Sequence, residues 1–201
     1  MGHILNADRE HRLLRQRMDG HTCGVPDSPE ILAILKLLYT EDEAALARQI
    51  PTQPISLPKL AAKLSLPEQQ VEDKMAEMSQ RGLMLDIEKG GQRYYALPPV
   101  LGGIFEFVMM RARDDVPMKE LARLFDDYMN HDPKFGEAVY GGEVQFARTF
   151  VREEALPEGD HTEVLDWERI TRLVETASAV SVGLCACRHK NSHIGKACDM
   201  P

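Results

Sequence analysis

Residues 28–97 carry four successive helix patterns followed by two short apolar–polar alternations around a Gly-Gly pair, and this order constrains the fold most. Ser28 before a proline is typical of a helix start, and Thr40 with Glu43 matches the capping-box pattern of a second helix. Two further apolar periods predict a third and a fourth helix joined by a short turn. A Gly-Gly pair between alternating runs indicates a β-hairpin. The order therefore predicts a winged helix-turn-helix at 28–98.

The inward helix faces and the first strand supply the predicted core of this unit: Ile34, Leu38, Leu60, Leu64, Val71, Met75 and Leu85. The second helix of the helix-turn-helix is the one that would enter a DNA major groove. Its acidic residues outnumber its basic residues: Glu68, Glu72, Asp73 and Glu77 against Lys74 and Arg81. Because acidic side chains repel phosphates and the net charge is −8, we expect a docking or dimerisation module that does not bind DNA.

The predicted fold class is mainly α with a small β content (α+β): the winged helix-turn-helix, then a helical region, then a small βαβ unit bearing the cysteines. The boundaries follow proline and glycine pairs and give an N-terminal arm with a helix at 1–27, the winged-helix domain at 28–98, a helical segment at 99–142 and the βαβ unit at 143–201. Residues 132–142 are predicted to form a loop. Strands at 144–151 and 179–184 would flank the helix of the βαβ unit.

Three of the four cysteines lie near the end of the chain, as Cys185, Cys187 and Cys198. Clustered thiolates are typical of a metal or redox site. If the predicted strand continues through Cys187, the C-x-C cysteines share one face with Cα atoms about 6.6 Å apart. That separation suits a cluster of several irons better than one tetrahedral zinc. Cys23 is expected to be an inert lone thiol.

Basic and imidazole side chains surround these cysteines in the sequence. Arg188, Lys190 and Lys196 would offset the negative charge of a thiolate cluster and keep the thiols ionised. His189 and His193 are the alternative metal ligands. A Cys3His zinc site that uses His193 is the alternative to an iron–sulfur cluster.

The pattern Cys185-Ala-Cys187-Arg188, followed by Cys198-Asp-Met-Pro201, resembles the first cluster-binding segment of a family of bacterial [4Fe–4S] ferredoxin-type proteins with a winged-helix-like region before the ferredoxin part. The resemblance covers most of residues 28–201. It implies an iron–sulfur electron-transfer protein, with the three cysteines as cluster ligands and a redox protein as partner. In that family another cysteine follows the proline, which implies a chain truncated inside the first cluster motif. We therefore expect this chain alone not to hold a complete [4Fe–4S] cluster.

Other chemistries lack their motifs in this sequence. It has no glycine-rich phosphate loop, no G-x-S-x-G elbow and no H-E-x-x-H pair, so we expect an electron carrier or oxidoreductase component and not a stand-alone enzyme. The absence of a membrane-length apolar run and of a signal core predicts a cytoplasmic protein with no membrane partner. A second copy of the chain is a further expected partner. The alternative function is a DNA-binding transcriptional regulator that senses redox state or metal through the same cysteines.

Overall fold

The computed structural model describes residues 8–131, 133–141 and 167–196. Over these residues the protein is mainly helical with one small antiparallel sheet, which confirms the α+β class. The elements are α1 (Arg9–Met18), α2 (Pro29–Leu38), α3 (Glu41–Ala47), β1 (Ile55–Ser56), α4 (Leu57–Leu64), α5 (Glu68–Gln80), β2 (Leu85–Lys89), β3 (Gln92–Ala96), α6 (Phe105–Phe107), α7 (Met118–Asn130), α8 (Pro133–Tyr140), α9 (Trp167–Thr176) and α10 (Ala186–His193).

The first helix belongs to the main core, because α1 packs against α2 and α3. Leu14 and Met18 on its inner face are fully buried. A polar contact reinforces the packing: Nε2 of His11 lies 2.8 Å from the backbone carbonyl oxygen of Tyr39. From residue 8 onward, the predicted N-terminal arm is therefore a docked helix.

The starts of α2 and α3 follow the capping signals of the sequence. The Ser28 hydroxyl oxygen accepts a hydrogen bond from the backbone N–H of Ile31 at 3.3 Å. Thr40 and Glu43 close a capping box, in which each side chain accepts the backbone N–H of the other residue. Such caps satisfy N–H groups that have no partner inside the helix.

The end of α5 depends on Gly82, which has a φ of +77°. The next residue, Leu83, donates its N–H to the carbonyl of Met78 at 2.9 Å, which closes the helix in a left-handed cap. A Cβ atom on Gly82 would lie 2.9 Å from Cβ of Phe107. Both the backbone angle and the close approach of α6 therefore require glycine here.

The predicted hairpin is present as β2 and β3, with β1 on the other side of β3 in the order β1-β3-β2. Gly90 and Gly91 form the turn with φ of +61° and +71°. Five of the seven predicted core residues are buried, and Leu64 and Leu85 are partly exposed. Leu64 is the last residue of α4 and still packs against the core, and Leu85 lies on the edge strand β2.

An aromatic cluster joins α6, α7 and α8. The rings of Phe105 and Phe125 stack with centroids 4.3 Å apart, and Tyr128 and Phe135 complete the cluster. The loop predicted at 132–142 is wrong, because Pro133–Tyr140 is the helix α8. Phe135 and Val139, one turn apart, are buried against the core, and this burial outweighs the loop signals of the proline and glycine.

The predicted βαβ unit is not formed as expected. Its helix is present as α9, and its first predicted strand, at 144–151, lies outside the described residues. The prediction of a second strand at 179–184 is wrong, because this segment has no regular secondary structure. Among the described residues, Leu184 donates its N–H to the carbonyl of Met110 at 2.9 Å and does not join a strand ladder. Val182 is 94% exposed, so the alternating apolar side chains of this segment do not form a buried strand face.

Candidate metal centre

The two C-x-C cysteines lie at the N-terminus of α10. Cys185 is the N-cap residue, and its carbonyl accepts the N–H of His189 at 2.9 Å. Cys187 lies within the first helical turn, and both thiols are exposed. Cys198 is outside the described residues. The expectation of an extended C-x-C is wrong, because a helix begins at Ala186 and residues two apart on a helix point away from each other.

Asp126 on α7 holds the cysteine helix to the body. Its two carboxylate oxygens accept hydrogen bonds from Nζ of Lys190 and Nζ of Lys196, both at 2.7 Å. Asp126 is only 7% exposed and also accepts from the Asn130 side-chain amide. The hydrogen bonds from Lys190 and then Lys196 lower the pKa of this carboxyl to about 2. The carboxylate is therefore ionised throughout the range in which the protein would function.

These ion pairs alter the expected electrostatics of the site. Two of the three predicted positive groups, Lys190 and Lys196, share the single negative charge of Asp126, so the three side chains together keep one positive charge near the cysteines. The sequence offered little sign of Asp126, because the Asp126-Asp127 pair resembles solvated surface charge. The usable signal was its position directly after Phe125, on the buried side of an amphipathic helix.

His189 and His193 meet on one side of α10. Nδ1 of His189 donates to the backbone carbonyl of Met109 at 2.8 Å, and its Nε2 lies 3.1 Å from Nε2 of His193. Because a carbonyl oxygen can only accept, the proton of a neutral His189 sits on Nδ1 and its Nε2 carries a lone pair. The two predicted alternative ligands are therefore brought together, one turn beyond the cysteines.

A small apolar groove runs beside Cys187. It has a volume of about 200 Å³, and its walls include Phe105, Met109, Phe125 and Met129. An apolar wall next to a thiol limits water access and strengthens electrostatic interactions at the site. Glu106, Asn130 and Lys190 also line the groove, so Cys187 lies at the border of an apolar wall, polar side chains and the solvent.

Cys23 is separate in character from the other thiols. It is 8% exposed and belongs to the hydrophobic core, and burial raises the pKa of its thiol. Both features match the prediction of an inert thiol. Across residues 8–131, 133–141 and 167–196, no three His, Cys, Asp or Glu side chains are grouped to hold a metal ion.

Compared with known proteins, the chain matches no family model, no curated protein and no solved structure. The resemblance to ferredoxin-type proteins therefore stays a prediction from the cysteine pattern. In the described part of the chain, none of the helices combines the length and the apolar character needed to cross a bilayer.

Proposed function

We propose that this chain belongs to an iron–sulfur electron-transfer protein of the [4Fe–4S] ferredoxin type, with Cys185, Cys187 and Cys198 as cluster ligands. The cluster would supply one-electron transfer, and the protein would supply the thiolates and the positive charge around them. The donor set fits such a group in chemistry, because thiolates are the usual ligands of iron–sulfur clusters.

The exposure of both C-x-C thiols at the start of α10 carries this proposal. The N-terminus of a helix presents backbone N–H groups that have no partner inside the helix and can donate to the sulfur atoms of a bound cluster. A pair of structural cysteines would be buried, as Cys23 is. The exposed pair is therefore available to bind a metal group and to approach a partner protein.

The ion pairs of Asp126 support a rigid site. Lys190 lies on α10 and Lys196 lies just beyond it, so the carboxylate holds two points of the segment that joins Cys187 to Cys198. A fixed ligand segment suits electron transfer, because ligand atoms that stay in place keep a metal group in one geometry.

We further propose that α2 to β3 is a winged helix that acts as a docking or dimerisation module. The order of helices, turn and hairpin supports this proposal. The one arginine of the hairpin, Arg93, is held by Asp86 at 3.0 Å and by Glu72 of α5 at 3.4 Å. With this cation paired and acidic residues along α5, the surface favours a protein partner over DNA.

Anaerobic reconstitution with ferrous iron and sulfide tests the cluster. A small thiol is added in excess, because three cysteines leave a fourth ligand position to be filled. We expect bound iron and sulfide in similar amounts with cluster-type visible absorption. Cys187→Ala and Cys198→Ala should each abolish the signal, and Cys23→Ser is the matched control that keeps it. Binding of zinc without iron and sulfide, lost both in His193→Ala and in Cys187→Ala, would instead favour the Cys3His site.

A further inference from the structure

A pair of histidines on α10 forms an arrangement that the cysteine site does not use. His189 and His193 are four residues apart, so their side chains lie on the same helix face. Their Nε2 atoms are 3.1 Å apart and their ring centroids 4.7 Å apart. Two imidazole nitrogens at this separation can hold one proton or one metal ion between them.

The distance matches chelation. Tetrahedral zinc with Zn–N bonds of about 2.0–2.1 Å places two ligand nitrogens roughly 3.3 Å apart. The i, i+4 spacing of two histidines on one helix face is also the spacing that zinc sites of the H-x-x-x-H type use. The pair therefore needs almost no rearrangement of the helix to bind a metal.

The outer contact of His189 has the form that metal-ligating histidines have. Its Nδ1–H is held by the Met109 carbonyl, which fixes the ring and directs the Nε2 lone pair toward His193. When both rings are neutral, His193 donates its Nε2–H to that lone pair. Metal binding would move this proton from Nε2 to Nδ1 of His193, so a neutral pair changes tautomer without a net loss of protons.

The surrounding charge does not exclude a cation. The nearby ammonium groups of Lys190 and Lys196 share the Asp126 carboxylate, which offsets one of their two positive charges and holds both away from the imidazole pair. His193 also borders a surface groove of about 590 Å³, whose lining combines the carboxylates of Asp126 and Asp127 with the cations of Lys119, Arg123 and Lys196. Both histidine side chains are partly exposed, so an ion and its remaining water ligands have access.

We propose that His189 and His193 form a bidentate site for a divalent transition metal such as Zn²⁺ or Co²⁺, distinct from the cysteine ligand set. Imidazole nitrogen suits these ions, and water completes the coordination because no third His, Cys, Asp or Glu of the described residues joins the pair. The site does not depend on the iron–sulfur proposal, because it uses no cysteine.

Titration of the full chain with Co²⁺ and Zn²⁺ tests the proposal, in the wild type and in a variant in which Cys185, Cys187 and Cys198 are all serine. We expect one saturable equivalent of metal in the cysteine-free variant, and any additional equivalent in the wild type should be bound by the thiols and be absent from the variant. Co²⁺ bound to imidazole alone gives d–d absorption without the sulfur-to-cobalt charge-transfer band. In the cysteine-free variant, Zn²⁺ should shift the imidazole nitrogen resonances of His189 and His193.

His193→Ala should weaken binding in the cysteine-free variant by more than about tenfold, because even loss of an outer contact to a metal ligand costs about 10–100-fold. His193→Ala combined with Asn191→His keeps the number of histidines but places the second imidazole on another face, and it should bind as weakly. His131→Ala removes an exposed imidazole outside the pair and should change nothing. Circular dichroism monitors folding of each variant.

Three outcomes would overturn the proposal. They are loss of all binding in the cysteine-free variant, affinity unchanged by His193→Ala, and absence of saturable binding in the wild type. The last two would mean that the histidines only share a proton. Should His193→Ala unfold, the resonance shifts of the wild-type imidazoles with Zn²⁺ decide the question.

Discussion

The described residues between 8 and 141, the core region, are held together differently from residues 167–196, the cysteine region. The core region buries a continuous set of aliphatic and aromatic side chains from Leu14 to Val139. In the described structure no residue of α9 or α10 is buried. The cysteine region contacts the body through polar groups, such as the ion pairs of Asp126 and the His189–Met109 hydrogen bond, and through the partly buried side chains of Ala186 and Ile194.

This difference separates the forces that form the fold from those that place the candidate site. Burial of apolar surface is non-directional and tolerates small changes of shape. Charge-assisted hydrogen bonds depend on geometry, and each involves a few atoms. The core region should therefore respond to changes of volume, and the cysteine region should respond to single charges.

The largest expected effect comes from the same substitution made in the two regions. Leu35 is 1% exposed on α2, and Leu173 is 58% exposed on α9. Leu35→Ala should lower the free energy of unfolding by about 2–5 kcal/mol, because it removes buried contacts and leaves a cavity. Leu173→Ala should change it by less than about 0.5 kcal/mol. Urea denaturation measures both, and similar losses would show that α9 is packed as tightly as α2.

A second pair of substitutions tests how closely the core region is packed. Gly82→Ala should lower the free energy of unfolding by about 3 kcal/mol, since the positive φ costs about 1–2 kcal/mol and the contact with Phe107 adds overpacking. Gly90→Ala is the control, because Gly90 also has positive φ but nothing lies within 4 Å of its added Cβ. Thermal denaturation should show a smaller loss for Gly90→Ala. Equal losses would mean that α6 yields to the new methyl group.

Sequence patterns predicted the helices α2 to α5 and the β2–β3 hairpin of the core region, although they missed α8, because the signals of these elements are local and repetitive. The Thr40 capping box and the turn at Gly90 are short-range features, and the apolar periods of the helices repeat over many residues. The strand prediction at 179–184 was wrong because a β-strand requires a neighbouring strand to pair with, and an apolar–polar alternation in the sequence does not provide that neighbour.

For the candidate site, the sequence revealed which groups are present but not which of them meet. Cys185, Cys187 and His189 could be selected by residue type alone. The carboxylate of Asp126 contacts Lys196 across 70 positions of sequence, and the Met109 carbonyl contacts His189 across 80. Such pairings follow from how α7 and the segment after α6 pack, and no local pattern encodes them.

Asp126→Asn should loosen the cysteine region and leave the core region folded. The amide cannot form an ion pair with either lysine, and Lys190, whose side chain is 12% exposed, loses its counter-charge. We expect a loss of about 2 kcal/mol in the local stability of α10, because a poorly solvated charge is left without its partner. Hydrogen exchange should speed up at the amides of α10 but not at those of α2. Asp127→Asn, which affects a more exposed carboxylate, is the matched control.

An acid-induced weakening of the contact between α7 and α10 is also expected, and it is the smallest effect near neutral pH because it develops only below about pH 5. The folded pKa of Asp126 is about 2, below the value of about 3.9 for an unfolded aspartate, so its stabilisation is complete above about pH 5 and is lost as the pH falls toward 2. The shift corresponds to roughly 2 kcal/mol. Other carboxyls with lowered pKa values, such as Glu43, also contribute to acid unfolding. The difference in unfolding free energy between the wild type and Asp126→Asn isolates the contribution of Asp126. This difference should be constant from about pH 5 to pH 7 and should shrink between about pH 4 and pH 2. A difference that does not change with pH over the whole range would show that the two lysine contacts do not stabilise the ionised carboxylate.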